Sequence, residues 1–373
     1  MTRRRMDLLI APLLLIGVLL AALALAPGTA QAKSVGFYQQ TNLVSDLPGE
    51  AQVTDPNLVN AWGLSHSATS PWWISDNGTG LSTLYQGTGA IVPLVVTIPP
   101  PAGSPAGTTA APTGNIFNGS TDFVVSENGV SGASAFIFDT EDGTISGWNP
   151  TVDRTHAVRT VDNSAKNAVY KGLAIASNSA GNFLYATNFH SGFVEVYDAH
   201  FHLVRVFTDI FLAKDCPLPG QCYAPFGIQT INGNLFVSYA LQNAAKHDDV
   251  AGRGHGFVDV FDTWGHFVRR FASRGVLDSP WGLAQAPASF GRFSNDILVG
   301  NFGDGTINAF NPRDGEFLGR VRDSKGKAIT INGLWGLAFG NDASAGSSTT
   351  LFFTAGLNDE ADGLFGTITS VSS

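Results

Sequence analysis

Short runs of alternating apolar and polar residues, punctuated by glycine, recur along this chain from about residue 60 to its end. The clearest reads Leu298-Val-Gly-Asn-Phe-Gly-Asp-Gly-Thr-Ile-Asn-Ala-Phe310. Alternation with period two predicts half-buried strands, and Asp-Gly between two such runs predicts a hairpin. The element Gly-x-(apolar)-x-x-(aromatic) starts at Gly143, Gly192, Gly256 and Gly305. It starts also at Gly80 with a polar third residue, and at Gly366 with Val371 in the aromatic place. These glycines stand 49 to 64 residues apart. A second element, (aromatic)-Gly-(Leu/Ile), precedes most copies: Trp62-Gly-Leu64, Phe226-Gly-Ile228, Trp281-Gly-Leu283 and Trp335-Gly-Leu337. Lys171-Gly-Leu173 carries Lys where the others carry a ring. In the second unit Asp122-Phe-Val-Val-Ser126 is expected to fill that place without the glycine.

Each unit therefore predicts four short strands. In the third these are residues 172–176, 183–187, 193–197 and 203–207. One four-stranded sheet cannot bury either of its faces alone. Six such units arranged around an axis can, so the pattern predicts an all-β, six-bladed β-propeller of four-stranded antiparallel blades. The sixth unit ends after its third strand, while Phe37-Tyr-Gln-Gln-Thr-Asn-Leu-Val44 is a strand with no unit before it. That N-terminal strand is expected to complete the last blade, which would otherwise leave an open edge. Two segments break the rhythm. Residues 99–112, rich in Pro, Gly, Ala and Thr, predict an irregular loop between the first two blades. Residues 241–254 form an insertion between the second and third strands of blade four.

The N-terminus has a different pattern. Arg3, Arg4 and Arg5 precede a nearly unbroken apolar run, Leu8 to Ala26, and Ala30-Gln31-Ala32 is a small-x-small site. This predicts a signal peptide over residues 1–32 and a single propeller domain over 33–373, exported to the periplasm or the medium. An uncleaved anchor is the alternative, because the run is almost long enough to span a bilayer. No later segment is long and apolar enough to span, so no membrane span is expected after cleavage. Cleavage would remove three Arg and one Asp from totals of 21 basic and 30 acidic residues, leaving a net charge of −11. That acidity argues against nucleic acid as a partner. Cys216 and Cys222 are the only cysteines, and in an exported protein the pair predicts a local disulfide.

The Gly-(Leu/Ile) openings and the Gly-x-(Ile/Val)-x-x-(aromatic)-(Asp/Asn) hairpins resemble NHL-type six-bladed propellers. Asn60-Ala-Trp-Gly-Leu64 and Glu141-Asp-Gly-Thr-Ile-Ser-Gly-Trp-Asn-Pro150 resemble a set of exported bacterial NHL-like proteins of about this length. The resemblance implies that the loops before strand one and between strands two and three meet at one mouth of the axial channel. It implies a fold and leaves the activity open.

Those loops carry Asn60, Asp76, Asn77, Glu141, Asp142, Asn188, His190, Asn301, Asp304, Asn332 and Asn358. Of these, Asp76, Asn77, Glu141, Asn188 and Asn301 are the candidate ligand or metal residues. Carboxylate and amide oxygens from several blades could hold Ca²⁺. Asn and Asp beside Gly are also ordinary turn formers. The insertion offers a separate candidate site in His247, Asp248, Asp249 and His255, a set suited to a transition metal or to acid–base work, or simply to a solvated loop. Trp62, Trp281, Trp335 and Phe226 could stack on a flat ligand or pack between blades. No nucleophile, zinc-protease or phosphate-loop motif occurs. Two functional classes follow. One is a non-catalytic scaffold that binds a protein, glycan or small ligand at the axial mouth. The other is a Ca²⁺-type metal-dependent hydrolase of the lactonase kind, or a lyase.

Overall fold

The computed structural model describes residues 1–2, 36–217 and 221–371. The expected signal peptide, apart from its first two residues, lies outside the described residues.

Six antiparallel sheets form the blades. Blade one runs Ala61–Ser65, Trp72–Asp76, Leu81–Tyr85 and Ile91–Thr97 from the axis outward. Blade three runs Tyr170–Asn178, Gly181–Asn188, Phe193–Tyr197 and Leu203–Phe207. Blades four and five repeat this order, with innermost strands Tyr223–Ile231 and Pro280–Gln285. Blade six has Leu334–Phe339 innermost, then Leu351–Gly356 and Asp362–Val371. Its fourth strand is the N-terminal Phe37–Ser45, antiparallel to Asp362–Val371 from Phe37↔Val371 to Ser45↔Leu364. The expected closure of the ring by the N-terminus is thus observed. Val53–Thr54 adds a short parallel strand outside it.

Blade two corrects one expectation. Its innermost strand is Pro112–Phe117, not residues 122–126. Val124–Glu127 instead pairs with Val130–Ala133 in a separate hairpin. Thr113-Gly114-Asn115 therefore supplies the glycine that the second unit lacked.

With that strand placed, the recurring glycine acquires a physical reason. Gly63, Gly114, Gly172, Gly227, Gly282 and Gly336 form a ring in which each lies against the backbone of the next blade's innermost strand. A Cβ at Gly336 would lie 2.7 Å from the Trp62 carbonyl oxygen, closing the circle from blade six to blade one. At each of these glycines the innermost strand bulges against the second. In three blades a second-strand side chain accepts the freed amide: Thr354 Oγ1 from Gly336 at 2.9 Å, Ser238 Oγ from Gly227 at 2.9 Å, and Asp139 Oδ1 from Gly114 at 2.7 Å. The apolar core lies between blades, as in the cluster of Phe290, Leu298, Ile307, Leu334 and Phe353 between blades five and six. Cys216 and Cys222 are disulfide-bonded, as expected.

Candidate functional site at the axial mouth

The first residues of the innermost strands close one end of the axis with rings. Trp62 and Trp335 stack, and Trp281 meets both edge-on with centroids 6.0 and 5.7 Å away. Phe302 stacks on Trp335 at 4.0 Å, and Phe226 leans on it at 5.7 Å. The recurrent aromatics thus pack against one another across the axis. Trp281 Nε1 donates to the Lys171 carbonyl at 2.8 Å. The indole nitrogens of Trp62 and Trp335 are buried without a partner among the described residues.

Lys171 takes the ring position in blade three. Its side chain is only 3% exposed, and Nζ lies 5.2 Å from the Trp62 ring centre and 5.8 Å from that of Phe189. An ammonium over an aromatic face is electrostatically favourable, more so when desolvated. It is also neutralised by charge: Nζ pairs with Glu141 from blade two, and with Asp248 from the blade-four insertion at 3.6 Å. Glu141 accepts in turn from Asn77 Nδ2 at 2.8 Å, and Asn77 Oδ1 accepts from Asn60 Nδ2 at 3.1 Å. Asn60 is 4% exposed, and its Oδ1 has no partner among the described residues.

Further titratable groups face this cluster. The hydrogen bond from His247 Nδ1 to Asp248, 2.7 Å, holds the Asp248 carboxyl down at about 2, helped by Lys171, and the same bond raises His247. Burial raises Asp249 and Asp142. Burial, reinforced by the charge of Glu141, pushes the Glu360 carboxyl up to about 7. Glu360 ends an unusual turn: Asn358, Asp359 and Glu360 have φ of 53°, 55° and 68°. Three successive L-residues in the left-handed region cost on the order of 1–2 kcal/mol each, and such strain concentrates at functional positions.

The structure therefore merges parts of the two sets that the sequence offers as separate sites. Asn77 and Glu141 of the first meet His247, Asp248 and Asp249 of the second. Atoms of Glu141, His247 and Asp248 come within 4.8 Å of one another. The other members lie elsewhere. Asp76 is fully buried, its carboxyl raised by that burial and facing Thr83 and Asp55 inside blade one. Asn188 bonds Glu195 and the Val169 amide, and Asn301 bonds Asp304 and the Val276 carbonyl, so both brace their own loops. His255 Nδ1 lies 2.9 Å from the Val250 carbonyl and anchors the insertion. Lys171 and Glu360 are absent from both sets. The signal for Lys171 was its charge at a position where other blades carry a ring. Glu360 stands in the acidic stretch Asp359, Glu360 and Asp362 after Asn358, which the sequence offers either as added charge for a cation site at the mouth or as a solvated hairpin, and Glu360 faces the cluster.

As a metal site the cluster has suitable ligand types, but the Lys171 ammonium already pairs with two of its three members. As an acid–base site it offers a carboxyl that titrates near neutrality beside a fixed positive charge.

No family model matches the chain. Among solved structures it is similar to a streptogramin B lyase, with a TM-score of 0.51 and 12% identity over 90% of this chain and 98% of that one, a likeness of fold alone. Protein R648 of Acanthamoeba polyphaga mimivirus is 30% identical over 339 residues, covering 90% of this chain and 81% of R648. Protein L690 of the same virus is 30% identical over 340 residues, covering 90% and 87%. This chain belongs to the family that contains the mimivirus proteins R648 and L690.

Proposed function

We propose that the protein is an exported, NHL-like propeller that binds a small organic cation or polyhydroxylated ligand at the Lys171 mouth. One observation carries the reading: Glu141, Asp248, Asp249 and Glu360, from three blades, gather around a single ammonium over an aromatic floor. Their negative charge exceeds that of Lys171, so the mouth attracts positive charge and hydrogen-bond donors. Asp248 and His247 are exposed and form its outer wall. The disulfide fits an oxidising compartment, which supports export.

The second reading is enzymatic, and Glu360 favours it. A carboxyl that titrates near 7 can donate and accept a proton at neutral pH, and Lys171 can stabilise a developing negative charge. Such a site would suit a lyase or hydrolase in which the resident ammonium supplies the electrostatic role first assigned to Ca²⁺.

The test is a thermal-shift scan with benzylamine, spermidine, tetramethylammonium and neutral sugars, on the wild type and on Glu360→Gln and Asp248→Asn. Stabilisation by one class that either variant weakens supports the site. A wild type that responds to none of them, or responds identically in both variants, overturns it. A lactone and ester panel then separates binder from enzyme.

A further inference from the structure

A second cavity lies at the other end of the axis. It measures about 510 Å³ and is lined by the later residues of the innermost strands, including Leu64, Asn115, Ile175, Gln229, Leu283 and Leu337. Between it and the tryptophan plug the channel narrows to a void of about 40 Å³, bounded by the backbones of Gly63, Gly114, Gly172, Gly282 and Gly336. The glycine ring that brings the blades together thus forms a waist. The two mouths are separate chambers with different chemistry.

The contrast lies in charge. Among the described residues, no Asp, Glu, Lys or Arg lines the wider chamber. His66 is the one titratable residue among those described there, and both ring nitrogens lie 2.8 Å from carbonyl oxygens, of Ser67 and Phe339. The walls are otherwise aliphatic and aromatic, with amides and the hydroxyls of Ser65 and Thr230 between.

One of those amides is incomplete. Asn115 is 6% exposed, and its Nδ2 faces three acceptors: the Gly63 and Trp73 carbonyls at 3.2 and 3.1 Å and Ser75 Oγ at 3.1 Å. Two of these are carbonyls, which cannot donate, so the amide orientation is fixed and Oδ1 is turned away from them. Oδ1 has no partner among the described residues. A buried, unpaired acceptor is costly unless something donates to it. Asn115 lines both the chamber and the waist, so a donor seated on the chamber floor would lie beside its amide.

We infer that this chamber is a second binding site, for a neutral small molecule with an apolar body and one O–H or N–H donor that reaches Asn115 Oδ1. Its volume suits a molecule of drug-like size. Among the described residues no Asp, Glu, Lys or Arg stands on its walls, and both His66 ring nitrogens already face carbonyls, so an ion desolvated there would find no counter-charge free to pair with it.

The experiment uses fluorescent probes. N-phenyl-1-naphthylamine is neutral, apolar and carries one N–H; its N-methyl analogue lacks the donor; 1-anilinonaphthalene-8-sulfonate carries a fixed charge. The neutral amine is expected to bind one-to-one and roughly tenfold more tightly than its N-methyl analogue, the worth of one buried hydrogen bond. The sulfonate is expected to bind more weakly than the neutral amine. Gln229→Trp, which adds bulk at an exposed position on the chamber wall, is expected to weaken the neutral probe at least tenfold. Glu360→Gln, at the opposite mouth, is expected to leave it unchanged, so failure here and failure of the Lys171 reading are distinguishable. Equal affinity for the two amines, tighter binding of the sulfonate, no binding of the neutral amine, or indifference to Gln229→Trp would each overturn the inference.

Discussion

The Lys171 ammonium lies 5.2 Å from the centre of the Trp62 ring, and the two residues occupy equivalent positions in blades three and one. A repeat that elsewhere supplies a ring to the axial plug here supplies a charge that rests on the plug. That substitution places a cation among carboxylates and makes it the electrostatic centre of the mouth. Lys171→Met keeps the apolar stem and removes the charge. It leaves Glu141 and its neighbours uncompensated, at a cost of about 3 kcal/mol, to be read by urea denaturation. The vacated position should then accept a divalent cation, so millimolar Ca²⁺ should raise the melting temperature of the variant and not that of the wild type. Equal stabilisation of both proteins by Ca²⁺ would show that the ammonium does not hold the cation position.

Buried carboxyls couple this fold to pH, Asp139 and Glu360 among them. Asp139 is fully buried, accepting from Thr113 Oγ1 at 2.9 Å and the Gly114 amide at 2.7 Å, and burial pushes it up to about 7. Glu360 reaches about 7 for the same reason. In the unfolded chain both titrate near 4. Between about pH 4 and 7 the folded protein therefore holds protons that the unfolded chain has released. The contribution of these two groups to stability falls as pH rises through that window and levels off above it. Asp248, held down at about 2, acts in the opposite sense but only below about pH 4. Asp139→Asn keeps an acceptor for the Gly114 amide and cannot ionise. Its stability should fall less than the wild type's between pH 5 and pH 8, by on the order of 3 kcal/mol. Parallel denaturation curves for the two proteins across that range would refute the assignment.

The architecture was legible because its signals are local. Strand alternation and Asp-Gly turns act over a few residues, and counting strands exposes the one missing from the sixth unit. Blade two departs from the expected position because Thr113-Gly114-Asn115 has neither the aromatic nor the apolar neighbour of the other copies. The alternation at residues 122–126 was stronger, but it belongs to a side hairpin. The site was legible only in pieces. Glu141 and Asp248 stand 107 positions apart, and no local pattern says that their loops meet over the axis. Lys171 reads as a defect in a repeat until the ring is closed. The acidic stretch around Glu360 is visible as a possible source of charge at the mouth, but its turn is not, because three successive left-handed residues without glycine oppose local preference and only the tertiary fold enforces them.

The seam of the ring makes a separate prediction. Phe37–Ser45 supplies the outer strand of blade six, and its Tyr38 reaches blade five. The Tyr38 hydroxyl donates to the Phe290 carbonyl at 2.9 Å and accepts from the Phe293 amide at 3.1 Å, while its ring stacks on Phe293. Starting the chain at about residue 48 removes the whole strand and should abolish cooperative thermal unfolding. Tyr38→Phe keeps the packing and strands two buried backbone groups, costing about 1–3 kcal/mol. A truncated protein that unfolds as sharply as the full one would mean that the strand does not lock the ring.

The glycine ring predicts a rank order of damage. At Gly282 a Cβ would fall far inside contact distance of the Trp335 carbonyl oxygen, and at Gly172 it would lie 3.1 Å from that of Phe226. Neither glycine has a positive φ, so the effect of alanine is steric and not conformational. In both cases the obstacle is backbone of the neighbouring innermost strand, which cannot swing aside as a flexible side chain would. A shift of a few tenths of an ångström relieves the second contact but not the first. Gly282→Ala should therefore cost about 3 kcal/mol or more and Gly172→Ala about 1 kcal/mol, measured by urea denaturation. Relief of the Gly282 clash requires blades five and six to separate at the axis, which also disturbs the stacked rings of Trp335 and Phe302 directly above. The near-ultraviolet circular dichroism of the tryptophans should change in Gly282→Ala and stay close to wild type in Gly172→Ala. Equal tolerance of the two alanines would show that close approach at the axis does not select glycine here.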